Sequence, residues 1–302
     1  MTHYQLIESN KRKSFFVIFF FILFILLAAY LMAYGLGYGM DLIGIALIFS
    51  GVMSFASYWY SDKIILGISG AHEASREKYF DFYTVAENLA ASKKMPKPKL
   101  YVMEDTAMNA FATGRDPEHA VICATTGLLA QLDRSELEGV IGHELSHISN
   151  YDIRLMSIVT ILVGFIALLS DWMLRMTFWG KKRDNNREGG QLQIVIFAIG
   201  LVLAILSPLI AKLIQLAISR KREFLADASA VGFTKNPQGL INALQKISQD
   251  KEPLEAANKA TAHLYISNPL KNLPKGLFTN MFATHPPIEE RLNALRAVVG
   301  SK

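Results

Sequence analysis

The stretch Ser135–Asn150 reads SELEGVIGHELSHISN, and its pattern decides what kind of fold must surround it. Ser135-Glu-Leu-Glu138 has the spacing of a capping box, which predicts a helix starting there and running to about Asn150. Within it, His143-Glu144-Leu145-Ser146-His147 sets two imidazoles at i and i+4, on one helical face, where both can meet a single Zn²⁺ ion. Glu144 is then placed beside a metal-bound water as a base. Val140, Ile141 and Ile148 give the same helix an apolar side. A second string, His72-Glu73-Ala74-Ser75-Arg76, ends in Arg76, offers no second imidazole, and leaves His72 as a solvated helix residue.

Catalytic zinc sites use three protein ligands plus water, so two histidines leave one ligand to be found. His263 lies in a weakly patterned segment. Arg222-Glu223-Phe224-Leu225-Ala226-Asp227 is the better source, because Glu223 and Asp227 share a helical face beside Phe224, Leu225 and Ala230. A ligand carboxylate backed by a second acid that hydrogen-bonds a ligand imidazole is a common arrangement. Acid pairs at this spacing are also ordinary on solvated helix faces.

The rest of the chain sets this helix on a membrane. Of 302 residues 51% are hydrophobic and only 19% charged, against about 25% charge in average soluble domains. Mean hydropathy is +0.25. The single cysteine, Cys123, excludes a disulfide scaffold and sits in an apolar strand as an inert thiol. The net charge of +5 is scattered, without the basic stripe of a nucleic-acid binder. Phe15 to Tyr34 is uncharged and long enough to span about 30 Å of hydrocarbon. Leu42 to Tyr60 follows and ends in an aromatic belt, Tyr58-Trp59-Tyr60. Lys11, Arg12 and Lys13 precede the first run, which predicts a cytoplasmic N-terminus over residues 1–14 and two transmembrane helices over 15–60. Residues 61–153 then hold the first part of a catalytic domain, 154–211 a third and a fourth hydrophobic segment with their connecting loop, and 212–302 the domain's second part. The third run, Leu155 to Ser170, is short for a span and reads equally as a buried helix. The fourth, Gln191 to Ala211, is long enough to cross. A continuous helix from His147 through Arg154 would carry the metal site directly off the membrane surface.

Between and beyond the runs, residues 61–97 read as helix, ended by Pro96 and Pro98. Lys99–Met103, Asn109–Thr113 and Ala120–Ala124 read as short strands. Pro237–Gln249, Pro253–Ile266 and Pro287–Val299 read as helices. The cluster Arg220, Lys221, Arg222 reads as facing anionic headgroups. The fold class is therefore a mainly α integral membrane protein, with a zincin-type HExxH catalytic domain carrying a small β-sheet.

HELSH at 143–147, REFLADASA at 222–230, MNAFATG at 108–114 and THPPIEERL at 284–292, together with four hydrophobic segments in order, resemble the HtpX family over nearly the whole chain. These are membrane-embedded zinc endopeptidases, related more distantly to the CAAX prenyl proteases. The resemblance implies one zinc ion held by His143, His147 and Glu223, Glu144 as general base, and Asp227 orienting a ligand imidazole. It implies an edge strand at Asn109, Ala110 and Phe111 that receives substrate, and support for the site from His285 and Arg291. It further implies ATP-independent quality control of misfolded or membrane proteins at a bacterial inner membrane, with the site on the cytoplasmic side. From the residues alone, Asn109 reads as a turn residue, His285 as punctuation before Pro286-Pro287, and Arg291 as a surface ion-pair residue. A CAAX-type prenyl protease and a membrane scaffold with an idle zinc site are the alternatives.

Overall fold

The structure is a computed structural model that describes residues 3–36, 41–179, 220–255, 261, 264–267 and 286–300. The fourth hydrophobic run, the basic loop before it, His263 and His285 lie outside these residues.

The two N-terminal runs form α1 (His3–Leu36) and α2 (Asp41–Trp59). The expected long helix over 61–97 is broken. It becomes α3 (Ser61–Ile68), a two-residue strand β1 (His72–Glu73) and α4 (Phe80–Ser92), with Gly70 at φ +62 turning the chain after α3. His72 is thus an exposed strand residue, with its Nε2 3.7 Å from Glu104, and not a helical one. β2 (Lys99–Met103), β3 (Ala110–Gly114) and β4 (Ala120–Thr125) follow the strand expectations within a residue. The sheet order is β1-β2-β4-β3, with β2 and β4 parallel and β3 antiparallel on the edge. Two helices come next, α5 (Thr126–Gln131) and α6 (Arg134–Ser149). The cap of α6 lies two residues earlier than expected: Asp133 and Glu136 form the reciprocal box. Ser135 instead accepts from Asn236 at 2.8 Å. The remaining helices are α7 (Asp152–Trp179), α8 (Arg220–Thr234), α9 (Pro237–Gln249) and α10 (Ile288–Gly300). No α-helix occurs among the described residues of 253–266; Tyr265–Ser267 is a bend.

The alternation of side chains along each strand divides the sheet between two cores. Leu100, Val102, Ala110, Ala112, Ile122 and Ala124 face α4, α6 and α9. Met103, Phe111, Val121 and Cys123 face α1, α3 and α7. With both faces covered, the strands read as continuous apolar runs, as buried sheets do.

Among the residues whose side chains are described, no single helix is long and apolar enough to cross a membrane. Two bent pairs are, by length and composition: Ile43–Trp59 with Ser61–Ile68, and Arg134–Ser149 with Asp152–Ile166, each bent by 83°. The helix bearing His147 ends near Asn150, as its pattern predicts, and does not run on into the third run. A corner at Asn150-Tyr151, with Tyr151 at φ +58, separates α6 from α7. Beyond it Leu155, Ile158, Val159 and Leu162 are buried.

Candidate active site

Two helices meet at the site because glycine lets them come close. A Cβ on Gly142 would stand 3.3 Å from the Ala230 Cα. This contact brings α6, with both histidines, against the face of α8 that carries Glu223 and Asp227. All four side chains are buried, as is Glu144.

The ligand geometry follows. His143 Nε2 and His147 Nε2 lie 3.1 Å apart. Glu223 places one oxygen 3.7 Å from the first and the other 3.6 Å from the second. A tetrahedral zinc ion with bonds of about 2.1 Å separates its ligand atoms by about 3.4 Å. The observed spacings bracket that value, so these three residues fit the metal. Among the described residues they are also the group whose donor atoms all lie within 4.8 Å of one another.

Each imidazole is held from behind. His143 Nδ1 donates to Asp227, whose Oδ1 is 2.9 Å away. Asp227 in turn accepts two bonds from the fully buried Arg291, at 2.8 and 2.6 Å. Arg291, readable in the sequence as a surface residue, is a buried brace that also donates to the Ile266 carbonyl at 3.1 Å. His147 Nδ1 donates to Asp152 at 3.1 Å. Sequence reasoning missed Asp152. It follows His147 by five residues, which on a straight helix lies about 140° around the axis. The 83° corner brings it back beneath the ring. Arg222, expected to face headgroups, is buried and donates to Asp152 Oδ1 at 3.2 Å, whereas Arg220 and Lys221 are exposed.

The surroundings set the protonation states. Burial pushes His143 down to about 4, and the Arg291 charge acts in the same direction against the Asp227 contact. Burial would also lower His147, but its hydrogen bond to Asp152 and the carboxylates of Glu223, Asp152 and Glu144 outweigh it and raise it to about 9. Asp227 is held down at about 2: burial opposes ionisation, and Arg291 overrides it.

Ala110 and Phe111 lie on the edge strand and Asn109 immediately precedes it, but part of that edge is taken by the chain itself. Alternate residues of an antiparallel strand turn their backbone groups outward. Here those are Ala110, Ala112 and Gly114, since Thr125 N donates to the Asn109 carbonyl. Ile266 N donates to the Ala110 carbonyl at 2.9 Å. The Asn109 amide bonds the Ser267 carbonyl at 3.1 Å and its amide nitrogen at 3.4 Å. Phe111 packs edge-on to Tyr265, with ring centroids 5.2 Å apart. Ala112, two residues further along β3, is itself buried.

The model of peptidase family M48 matches residues 80–299. A protease HtpX homolog of Dictyoglomus turgidum is 44% identical over 297 residues, covering 98% of this chain and 94% of its own. One from Thermoanaerobacter pseudethanolicus is 42% identical over 301 residues, covering 98% of both chains. Among solved structures, S. mikatae Ste24p shares the fold with a TM-score of 0.53 at 19% identity. The match covers 96% of this chain and 66% of that one.

Proposed function

This chain belongs to peptidase family M48 and within it to the HtpX proteases, and on that premise we propose how its residues divide the work. The protein is a membrane-bound metalloprotease. His143, His147 and Glu223 hold one zinc ion per chain. A bound zinc ion supplies Lewis acidity toward the scissile carbonyl and the attacking water. Glu144, buried one residue from the first ligand, takes the proton of that water on its carboxylate and delivers it to the leaving amine. Asp227 and Asp152 hold the two imidazoles in the tautomer that leaves Nε2 toward the metal. Arg291 keeps Asp227 charged and in place.

Substrate adds as a strand to the β3 edge, where backbone pairing recognises unfolded polypeptide with little sequence preference. Ala112 supplies the outward donor and acceptor. Such recognition suits misfolded or membrane proteins as substrates. No P-loop string occurs in the sequence, which accords with proteolysis that does not consume ATP. The catalytic domain stands on the cytoplasmic side of a bacterial inner membrane, carried by α1 and α2.

The observation that carries this reading is the buried triangle of two Nε2 atoms and one carboxylate, with edges of 3.1–3.7 Å, on the helix that also bears Glu144. Its test is metal content and casein cleavage by the purified protein, with and without a chelator. His143→Ala and Glu223→Ala should lose both metal and cleavage. Glu144→Gln should keep the metal and lose cleavage by about 100-fold or more. Chelator-resistant cleavage, or robust cleavage by Glu144→Gln, overturns the assignment.

A further inference from the structure

We propose that Asn10, on the first helix, is a positioning residue for the metal site: it fixes Asp152, and Asp152 fixes the ring of His147. The proposal rests on His147 being a metal ligand. Asp152 gives Oδ2 to His147 Nδ1 at 3.1 Å and leaves Oδ1 to be fixed by others. Asn10 Nδ2 donates to that Oδ1 at 2.7 Å and to the Asn150 carbonyl at 2.9 Å. Its own Oδ1 accepts from Arg222 at 3.0 Å, and Arg222 also donates to Asp152 Oδ1.

The amide has no alternative orientation. Its two N–H groups face two acceptors and its oxygen faces a guanidinium, so a flip would set acceptor against acceptor at Asp152 and Asn150 and donor against donor at Arg222. Asn10, Asp152 and Arg222 are all buried, where an unpaired polar group is costly, so the arrangement is held tightly. Lys11 lies over the Tyr151 ring at 4.5 Å and seats the same turn of α1 on the corner between α6 and α7.

The two histidines are therefore supported differently. His143 is braced by Asp227 and Arg291, both within the residues 80–299 that match the family model. His147 is braced by Asp152, whose position depends on a residue 142 positions earlier, outside that region and at the foot of the apolar run. The first helix then does more than anchor the protein. Its seating completes the metal site.

The test uses the full chain in detergent, with zinc affinity read by competition with a chromophoric chelator, the visible spectrum of the Co²⁺-substituted protein, and thermal unfolding. Asn10→Ala should weaken zinc binding by about tenfold and change the cobalt spectrum, because the carboxylate behind His147 is no longer fixed. Ser14→Ala, one turn further on, removes a buried hydroxyl of α1 that bonds the Asn10 backbone carbonyl and does not touch Asp152, and should leave affinity and spectrum unchanged. Asp152→Asn should weaken binding by roughly 10–100-fold. If Asn10 acts through Asp152, the double variant should bind no worse than Asp152→Asn alone. Wild-type affinity and spectrum in Asn10→Ala, equal losses in Ser14→Ala, or additive losses in the double variant would overturn the proposal. Should Asn10→Ala not fold, Asn10→Asp decides: it keeps the shape and the Arg222 contact but sets a like charge beside Asp152, so unchanged affinity overturns the proposal. His147→Ala separates the two ideas. Retained zinc there refutes the metal-site reading, while lost zinc with an indifferent Asn10→Ala refutes only the role of Asn10.

Discussion

Arg291 is a charged side chain with no exposed surface, so its environment has to replace everything water would have given it. Asp227 does most of this through two parallel bonds, and the pairing works in both directions. Burial would raise the Asp227 carboxyl, yet the guanidinium holds it at about 2. Because this folded value lies below the ordinary one near 3.8, the stabilisation is fully present above about pH 4 and fades as the pH falls toward 2. Arg291→Ala would leave Asp227 buried without its partner and should destabilise the protein by roughly 3–5 kcal/mol. Arg291→Lys keeps the charge but loses the fork. Its expected signature is a milder loss of stability with zinc affinity lowered through a looser Asp227, measured by thermal unfolding and chelator competition. An Arg291→Lys protein equal to wild type in both would remove Arg291 from the site. Cys123 makes the opposite case, of a reactive group silenced by its place. It is buried on the β4 face toward α1 and α7, and burial raises its thiol pKa far above the ordinary value. Iodoacetamide at pH 8 should leave it unmodified in the folded protein and alkylate it in denaturant, followed by mass spectrometry. Modification of the native protein would mean that the sheet face opens.

At the scale of elements, close approach is what aims the ligands. A Cβ on Gly139 would lie 2.7 Å from the Leu240 backbone of α9, and one on Gly239 would lie 2.4 Å from the Ser135 carbonyl. Gly139→Ala gains about 1 kcal/mol of helix propensity. It must also push two backbones apart, an overpacking cost of roughly 1–3 kcal/mol. The clash should win, giving a net loss of stability in denaturant titration; a stabilised variant would show that α6 and α9 are not in contact. The proposed substrate edge can be probed likewise. Ala112→Pro removes an outward N–H, a change that edge strands tolerate. It should lower casein turnover about tenfold with zinc retained, and unchanged turnover would count against strand addition. These elements differ in how far the sequence revealed them. The strands and the helix bearing HELSH are local patterns, so period and turn chemistry were enough to place β2, β3, β4 and α6 within a residue or two. The cap was displaced because Asp133/Glu136 and Ser135/Glu138 both satisfy the spacing, and only the chain's path chooses between them. Asp152 and Arg222 were unreadable for another reason. Their roles arise from the corner at Tyr151 and from Asn10, which no local pattern brings near His147. The break of the 61–97 helix at Gly70 needed the pairing of β1 with β2, also a non-local contact.

The whole molecule is divided between two solvents. On α1, Phe15, Phe16, Phe19, Phe20, Leu23 and Leu27 are exposed, and on α2 so are Ile45, Ile48, Val52 and Phe55. Contiguous apolar surface on this scale marks contact with lipid or partner, and two adjacent apolar helices fit lipid. Where α2 ends, cations cover the aromatic belt: Arg115 lies 4.7 Å over Trp59, Arg154 5.4 Å over Tyr58 and Lys63 5.6 Å over Tyr60. Aromatic rings at headgroup level with arginine and lysine beside them define a boundary plane. The plane lies on the side of the sheet and of α6, because Arg115 follows β3 directly and Arg154 follows the helix of His143 and His147 by a single corner. The basic residues Lys11, Arg12 and Lys13 at the start of α1 share that side, since Lys11 touches Tyr151. In the proposed topology, two spans and one basic face put residues 1–14 and the catalytic domain together in the cytoplasm, with the connection between α1 and α2 opposite. Because Cys123 is buried, the wild-type background serves for labelling. In intact cells a membrane-impermeant maleimide should modify Tyr38→Cys but not Glu77→Cys, an exposed position before α4, and both should react after permeabilisation. The positions test one arrangement from two sides. Labelling of Glu77→Cys in intact cells would place the catalytic domain outside the cytoplasm and overturn the topology, while protection of Tyr38→Cys until permeabilisation would show that the first two helices do not form a crossing pair.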